Sequence, residues 1–488
     1  MKVFFIFPNV LNKPCIHYGI ASIAALLKNN GHQVSLMQVL EIPKKGAIIK
    51  NIAASRPDII AFTSVTSQFS IVKEIAQSIR REFDLPIICG GIHATLAPDE
   101  VIADQNIDII CRGEGEYPML ELVSKLRNNL PCDDIKNLWI KRNGIVKKNG
   151  IRLPLDNLDK LSFPYIDFFD IEHMLRSEHG RFRVITSRSC PFDCSYCCAP
   201  ALRRLSGDDN GRVRRLSVDS VLMQMRSWLA KYPIKSFIID DDAFTVDQEY
   251  VAEFCSKYKN AIDVPFACNS RPESLSPGLL KILKSAGCEL MLVGVESGSE
   301  KLRNDVLNRS ISNNRLINCF KQIRAAGIKT FSFNMIGLPG ETEDEAEETI
   351  RLNQEISPDS LQVSMFCFYP GTKLSKSFKI ESQEPYDKIF NYFTCSGRVA
   401  SAPPFTRLTP EKVDYYMHKL RSLWIEEAIR RRYRYLFLFY RVLIRIIGFK
   451  KTVALFLKLA FLKDHVLYWY VWRFKNYFIE RKRKGPNI

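Results

Sequence analysis

The segment Cys190-Pro191-Phe192-Asp193-Cys194-Ser195-Tyr196-Cys197 places three thiols within eight residues. Three thiolates at this C-x3-C-x2-C spacing can ligate one face of a cubane iron–sulfur cluster and leave its fourth iron without a cysteine ligand. A structural zinc site is the alternative, but such sites usually have four ligands in two C-x2-4-C pairs, and no second pair is present. We therefore expect Cys190, Cys194 and Cys197 to hold a [4Fe-4S] cluster, with Cys198 as a bystander.

The chain around the thiols, from residue 181 to residue 400, alternates short apolar runs with amphipathic helical segments. Such alternation implies parallel strands joined by helical crossovers, so we expect a full or partial β/α barrel. The catalytic site of such a barrel should lie at the carboxyl ends of its strands. The thiol segment begins shortly after the first predicted strand, residues 182–186. The predicted strands span residues 182–186, 236–240, 266–269, 289–295, 330–336 and 360–366.

Residues 1–130 show the same alternation of apolar runs and amphipathic segments. We expect an α/β domain here, doubly wound and Rossmann-like. Its predicted strands end in polar or glycine-rich loops, and open α/β sheets bind ligands at those ends. Residues 131–180 are less periodic and are expected to form a connector between the domain and the barrel.

The basic charge of the chain is concentrated in its C-terminal tail, residues 401–488. Of the formal net charge of +17, residues 411–488 carry 19 Lys and Arg against 6 Asp and Glu, so a nucleic-acid-binding face on the main body is not expected. The tail has a helix start at Thr409-Pro410, and basic residues interrupt its apolar runs before about 18 residues accumulate. Its aromatic, basic composition favours helices on an anionic membrane surface, and a helical cap on the barrel is the alternative.

Length and composition restrict the class of protein further. At 488 residues the chain exceeds a single core, and 46% apolar and 25% charged residues are typical of a folded protein. The 14 cysteines lack the regular spacing of a secreted disulfide scaffold, and the first apolar run, residues 3–7, is too short for an export signal. We therefore expect reduced thiols and a cytoplasmic protein.

Four segments after the thiols carry a family resemblance, together with Tyr196, the aromatic residue before the last cysteine. They read FIIDDDAF at 237–244, GVESG at 294–298, MIGLPGET at 335–342 and PGTKL at 370–374. With these segments the chain resembles the radical S-adenosylmethionine (SAM) superfamily. The resemblance implies that the open iron of the cluster binds SAM and that SAM is cleaved reductively to a 5'-deoxyadenosyl radical. It implies SAM contacts from Gly294, Glu296, Gly337 and Arg271.

Three loops of residues 1–130 read SVT at 64–66, GGIHAT at 90–95 and GEGE at 113–116. With these loops the region resembles the cobalamin-binding domain that precedes the barrel in one subgroup of this family. The D-x-H-x-x-G motif, which supplies a histidine ligand to cobalt in other cobalamin proteins, is absent here. We therefore expect cobalamin without a histidine ligand to cobalt, or a domain that is only structural. His93 is expected to be a loop residue beside the cofactor, and His17 is unassigned. The residues expected to contact cobalamin are Ser64, Thr66, Gly90, Gly91 and Glu114.

The subgroup resemblance implies a cobalamin-dependent methyltransferase that acts on an unactivated carbon of a small-molecule or lipid substrate. An electron donor such as flavodoxin or ferredoxin would reduce the cluster. Two alternatives stay open. One is a radical cyclase or rearrangement enzyme that transfers no methyl group, and the other is a non-catalytic iron–sulfur protein that senses redox state or recruits partners.

Overall fold

Two predominantly parallel β-sheets organise the chain. The computed structural model describes residues 1–10, 12–41, 45–207, 211–379 and 405–432, with the side chains of the last helix described as far as residue 423. The strands are β1 (Lys2–Pro8), β2 (Gln33–Val39), β3 (Ile59–Thr63), β4 (Ile87–Gly90), β5 (Ile109–Cys111), β6 (Leu138–Arg142), β7 (Ile145–Lys148), β8 (Arg181–Val184), β9 (Ser187–Arg188), β10 (Arg214–Arg215), β11 (Ser236–Ile239), β12 (Phe266–Ser270), β13 (Cys288–Glu296), β14 (Lys329–Ile336) and β15 (Ser360–Met365).

Helices connect most of these strands. A π-helical turn at Leu302–Val306 follows β13. The α-helices are α1 (Tyr18–Asn29), α2 (Lys45–Ser55), α3 (Phe69–Glu82), α4 (Ile92–Leu96), α5 (Pro98–Ala103), α6 (Glu116–Arg127), α7 (Ile171–Ser177), α8 (Cys198–Leu205), α9 (Val218–Leu229), α10 (Gln248–Ala261), α11 (Pro277–Ser285), α12 (Asn313–Ala325), α13 (Glu343–Ile356), α14 (Lys373–Ser377) and α15 (Pro410–Arg432).

The first sheet has the strand order β2-β1-β3-β4-β5-β6-β7. Strands β1 to β5 pair in parallel, as expected for a doubly wound domain. Alternate residues of β1 enter different cores: Val3 and Phe5 pack with α1 and α6 on one face, and Phe4 and Ile6 pack with α2 and α3 on the other. Burial on both faces explains why β1 is a continuous apolar run and does not alternate with polar residues.

Residues 138–148 depart from the expected connector, because they form the hairpin β6–β7 and extend the first sheet. Strand β6 pairs antiparallel with β5, and β7 pairs antiparallel with β6. The turn is Asn143-Gly144, whose residues have φ of 50° and 77°. Two central residues with positive φ are the signature of a tight hairpin turn, so the Asn-Gly pair was the signal for these strands.

The second sheet contains six parallel strands in the order β15-β14-β13-β12-β11-β8. Because β8 and β15 lie at opposite ends of this order, the expected β/α barrel is a partial one. The carboxyl end of β8 leads into the short β9 and then into the thiol segment. The arrangement therefore puts the thiols at the mouth of the open barrel.

Helix α15 covers the β15 end of the second sheet. It begins where the sequence predicts, and the hydroxyl of Thr409 accepts a hydrogen bond from the Lys412 amide at 3.3 Å. Its residues Val413 and Leu420 are fully buried in a core shared with β14 and β15. Most of the tail predicted to bind a membrane surface, residues 433–488, lies outside the described residues. Within the described ranges, no helix is long and apolar enough to cross a membrane.

Candidate functional site

The thiol segment is a loop that ends in helix α8. Cys190 and Cys194 are buried, and Cys197 is partly exposed. Cys197 is also the N-cap of α8, because its Sγ accepts a hydrogen bond from the Ala199 amide at 3.4 Å. A helix N-terminus stabilises a thiolate, which is the form of cysteine that ligates iron.

Hydrogen bonds to the backbone of this loop anchor it to its surroundings. The Ser195 amide donates to the Leu307 carbonyl at 3.1 Å, and the Leu374 amide donates to the Ser195 carbonyl at 2.9 Å. The buried Arg203 donates to the Cys190 carbonyl at 2.6 Å. The loop is thus anchored to three neighbouring segments, which fits a preformed site for a cluster.

Burial raises the pKa of the Cys190 thiol to about 11 and that of Cys197 to about 12. Both are therefore protonated at neutral pH before iron is bound, and loading a cluster must release their protons. Partial burial also raises the pKa of Cys198, to about 12. Among the described residues, no group of three His, Cys, Asp or Glu side chains is close enough together to bind a single metal ion.

Arg271 lies next to the cluster loop, directly after β12. Its Nη1 donates to the Cys194 Sγ at 3.0 Å, and its guanidinium lies 3.8 Å from the centre of the Phe192 ring. Glu273 accepts from Nη2 at 2.6 Å and from Nε at 3.3 Å. Arg271 thus contacts a predicted cluster ligand, and its expected contact with SAM stays a prediction.

Gly294 and Glu296 lie together at the end of β13. The strand is irregular here, and Glu296 has a φ of 67°. Arg309 donates to the Glu296 carboxylate at 2.9 Å and to the Gly294 carbonyl at 3.0 Å. Burial raises the pKa of Glu296, and Arg309 opposes that shift. A Cβ atom on Gly294 would lie 2.5 Å from the Glu296 carboxylate, so a larger residue would require the Glu296 side chain to move.

Gly337 directly follows β14 and has a φ of 84°. Its amide donates to the buried Glu341 carboxylate at 2.5 Å, and the Leu338 amide donates to the same oxygen at 3.0 Å. Burial raises the pKa of Glu341 to about 8, although these two amides oppose the shift. The sequence analysis did not identify Arg309 or Glu341 as residues of this site. Glu341 could have been identified, because it lies in the MIGLPGET segment.

Two neighbouring cavities lie between the carboxyl ends of the two sheets, with volumes of about 430 and 580 Å³. Gly90 and Gly91 enter the first from β4, and Gly91 lines both. The chain that follows the hairpin, residues 151–157, closes one side of the second. Because glycine has no side chain, a large flat cofactor can approach the backbone closely at these loops. The loops therefore fit cobalamin.

Ser64 and Thr66, two expected cobalamin contacts, line neither cavity. Both are buried, and they bind the helix that follows β4: the Ser64 carbonyl accepts from the His93 amide, and the Thr66 hydroxyl lies 3.3 Å from the His93 Nδ1. His93 itself is buried within α4 and does not lie in a loop. The loop after β3 turns inward because it packs against α4.

His17 is the histidine that lines the first cavity. Its Nδ1 accepts from the Ile20 amide at 3.1 Å as the N-cap of α1. The hydrogen-bond network therefore assigns the proton to Nε2, which lies 3.0 Å from the Thr63 hydroxyl. Burial lowers the pKa of His17 to about 4, so the ring is neutral and both of its nitrogens are hydrogen-bonded within the protein.

Glu114, another expected cobalamin contact, lines both cavities but forms ion pairs with β9 and β10, which pair with each other as a separate two-stranded antiparallel sheet. Its carboxylate lies 3.2 Å from the Arg188 Nη1 and 2.6 Å from the Arg214 Nη2. Arg188 also binds Glu116, at 2.5 Å. Burial disfavours the ionised form of Glu114, but Arg214 and Arg188 outweigh burial and lower its pKa. We call Glu114, Glu116, Arg188 and Arg214 the interdomain ion network.

The three aspartates after β11 have different surroundings. Asp241 is buried and accepts hydrogen bonds from the Thr186 amide and hydroxyl, both at 2.6 Å. Asp240 pairs with Arg183 at 3.0 Å. All three aspartates line the first cavity, and Asp242 lines the second as well. Enclosure, together with Asp241 and Asp240, raises the pKa of Asp242 to about 6. Asp242 is therefore the aspartate of this strand end that borders both cavities.

Comparison with known proteins matches the chain to two families and to proteins of similar fold. Residues 184–352 match the Radical SAM superfamily, and residues 9–123 match the B12 binding domain. An uncharacterized methyltransferase from Pyrococcus horikoshii is 28% identical over 362 residues, which are 73% of this chain and 77% of that protein. An anaerobic magnesium-protoporphyrin IX monomethyl ester cyclase from Rubrivivax gelatinosus is 24% identical over 394 residues, 77% of this chain and 69% of the cyclase.

A solved structure shares the fold. It is TsrM from Kitasatospora setae, a radical SAM methyltransferase with cobalamin and a [4Fe-4S] cluster bound. Its TM-score is 0.66 at 16% identity, over 86% of this chain and 88% of TsrM.

An α/β domain of the B12-binding type, followed by an open barrel with three thiols at its mouth, defines a class of enzymes that combine cobalamin with radical chemistry. The chain belongs to the radical SAM superfamily, in the group whose members carry a B12 binding domain. Its cofactors are accordingly a [4Fe-4S] cluster, SAM and cobalamin.

Proposed function

We propose that this enzyme transfers a methyl group to an unactivated carbon of its substrate. The observation that carries the proposal is the space between the sheets, which glycine loops of the B12 binding domain and the acidic end of β11 line from opposite sides. When bound, the cluster would supply the electron that cleaves SAM, and cobalamin would supply the methyl group. The cluster cysteines and the expected SAM contacts line neither cavity, but Ser189 and Ala199, which flank the thiol segment, line the second one beside Gly91, so the cluster lies next to the space assigned to cobalamin.

We assign the cofactor contacts on the same basis. Cys190, Cys194 and Cys197 ligate the cluster, because their sulfurs lie in an anchored loop at the barrel mouth. Gly294, Glu296 and Gly337 contact SAM, because they lie where strands β13 and β14 end, at the same mouth. Gly90 and Gly91 let the corrin ring approach the backbone. Ser64, Thr66 and Glu114 support these loops through their hydrogen bonds and ion pairs.

The test is an anaerobic assay with SAM carrying a deuterated methyl group, reconstituted enzyme, a one-electron reductant and extract of the source cells. We expect a product that carries deuterium from that methyl group, together with 5'-deoxyadenosine. The C194A variant is the control and should form neither. Deoxyadenosine without a labelled product contradicts methyl transfer.

The similarity to the Rubrivivax gelatinosus cyclase supports a second candidate, a cyclase or rearrangement enzyme that uses the same radical. The same assay separates the two candidates. A cyclised or rearranged product without the label, formed in step with deoxyadenosine, would identify this second activity.

We further propose that the enzyme works in the cytoplasm, receives electrons from a flavodoxin or ferredoxin, and meets an apolar substrate at an anionic membrane surface. The excess of basic residues in 411–488 supports the membrane proposal, since each Lys or Arg near such a surface contributes about 1 kcal/mol. Lys412 and Lys419 contribute less, because they pair with Glu343 and Glu347 on α13.

Co-sedimentation with anionic liposomes tests the membrane proposal. The full chain should bind at low salt and dissociate near 1 M salt, where the Debye length falls to about 3 Å. A chain that ends at residue 432 keeps α15 on its sheet and should stay in the supernatant. If the full chain also stays in the supernatant at low salt, the tail does not bind membranes.

A further inference from the structure

We propose that Arg271 is a positioning residue that sets the reduction potential of the cluster through its hydrogen bond to the Cys194 sulfur. The proposal rests on the cluster alone and is independent of which group the enzyme transfers. It starts from the contact between the Arg271 Nη1 and the Cys194 Sγ, which measures 3.0 Å. The distance is short for a donor and a sulfur atom, so the guanidinium is well placed to stabilise a thiolate there.

Two neighbours hold the guanidinium in this orientation. Glu273 accepts from two of its nitrogens, at 2.6 and 3.3 Å, and the Phe192 ring lies 3.8 Å from the guanidinium carbon. The Arg271 side chain is only 13% exposed. A planar guanidinium fixed by a carboxylate and stacked on a ring loses little freedom when it donates to a third partner. Its Nη1 is therefore directed at the sulfur in advance.

Neighbouring arginines at the cluster loop have other partners. Arg203 donates to the Cys190 carbonyl and to the Asp193 carboxylate, and Arg204 donates to the same carboxylate. Arg309 binds Glu296. Among the described residues, Arg271 is thus the arginine that donates to a sulfur of the cluster loop. Arg204 carries the same charge near the loop but donates to the Asp193 carboxylate, so it serves as the control for positive charge without a bond to sulfur.

The direction of the effect follows from electrostatics. One electron from a low-potential carrier protein, or from dithionite in the test, adds one negative charge to the cluster and its thiolates, with no bond broken and no proton moved. A cation that donates to a ligand sulfur stabilises this more negative state, and its partial burial limits screening by water. Arg271 therefore raises the potential and makes the cluster easier to reduce.

The experiment is a redox titration of the reconstituted cluster without SAM, followed by the spin-resonance signal of the reduced state. R271M keeps the apolar contact with Phe192 but removes the charge and the donor. We expect its reduction equilibrium constant to fall about tenfold, a shift of about 59 mV to lower potential for a one-electron couple. R271K, which keeps the charge, should fall between R271M and the unchanged enzyme, and R204M should shift less than R271K.

The iron content of each variant is measured before the titration. If R271M holds fewer than four irons per chain, its cluster is incomplete, and R271Q is titrated in its place. An unchanged potential in the uncharged variant overturns the proposal, and so does an equal shift in R204M. Weaker SAM binding without a shift in potential would show that Arg271 contacts SAM instead. Methylation is not measured, so a failure of the proposed function leaves this result unaffected.

Discussion

The two halves of the site are built differently. The cluster half is one short loop that hydrogen bonds to its backbone, such as those of Ser195, hold in place. The cobalamin half is assembled from loops distant in sequence and is tied to the barrel by the interdomain ion network. A local loop concentrates its function in a few side chains, whereas an assembled surface depends on backbone shape and long-range pairing. The two halves should therefore respond differently to substitution.

The largest effect is expected in the local half. C190A, C194A and C197A should each abolish the brown [4Fe-4S] chromophore, because a cubane held by three cysteines has no spare ligand. C198A should retain it, since that thiol lies outside the spacing. Visible absorption and iron content after anaerobic purification measure this difference. Loss of iron in C198A as complete as in C197A would show that the ligand assignment is wrong.

In the assembled half, backbone shape should matter most at Gly91. Its φ is 94°, and a Cβ atom would lie 2.6 Å from the Ser64 carbonyl oxygen, so we expect G91A to destabilise the domain by about 3 kcal/mol and to weaken cobalamin binding. The control is G278A in α11, where a Cβ meets no atom within 4 Å and should add stability of about 0.5 kcal/mol. Thermal unfolding and cobalamin titration test both variants. Normal cobalamin affinity in G91A would contradict this view of the loop.

A smaller effect is expected from breaking the interdomain ion network. R188M leaves the carboxylates of Glu114 and Glu116 without this partner, which should cost about 2 kcal/mol because the guanidinium is 27% exposed and partly screened. Cobalamin should be lost faster on gel filtration while the cluster is retained. D219N, which breaks an exposed pair with Lys257, should change stability by less than about 1 kcal/mol. If R188M and D219N lower stability equally, the interdomain ion network does not hold the cobalamin half to the barrel.

The smallest effect is expected at the histidine that lines the cavity. Because both His17 nitrogens are hydrogen-bonded within the protein, we expect no histidine ligand to cobalt. Spin-resonance spectra of the Co(II) state should lack nitrogen splitting from a protein histidine, and H17A should leave the spectrum unchanged. Splitting that disappears in H17A would identify His17 as a ligand.

The amino-acid sequence by itself determined the features that are local to a segment. Apolar periodicity predicted the parallel strands of both sheets, and the spacing of Cys190, Cys194 and Cys197 pointed to a cluster. Asn143-Gly144 carried a readable hairpin signal that was overlooked. These features are readable because the interactions that produce them act between residues a few positions apart.

Only the tertiary structure decided which side chains face the cavity and which are already engaged. Ser64 and Thr66 turn inward because α4 packs over their loop, and Glu114 is paired with Arg214, 100 residues away. The contact between Arg271 and Cys194 spans 77 residues. No local pattern encodes such pairs, because they depend on how the helices and sheets pack against one another after each has formed.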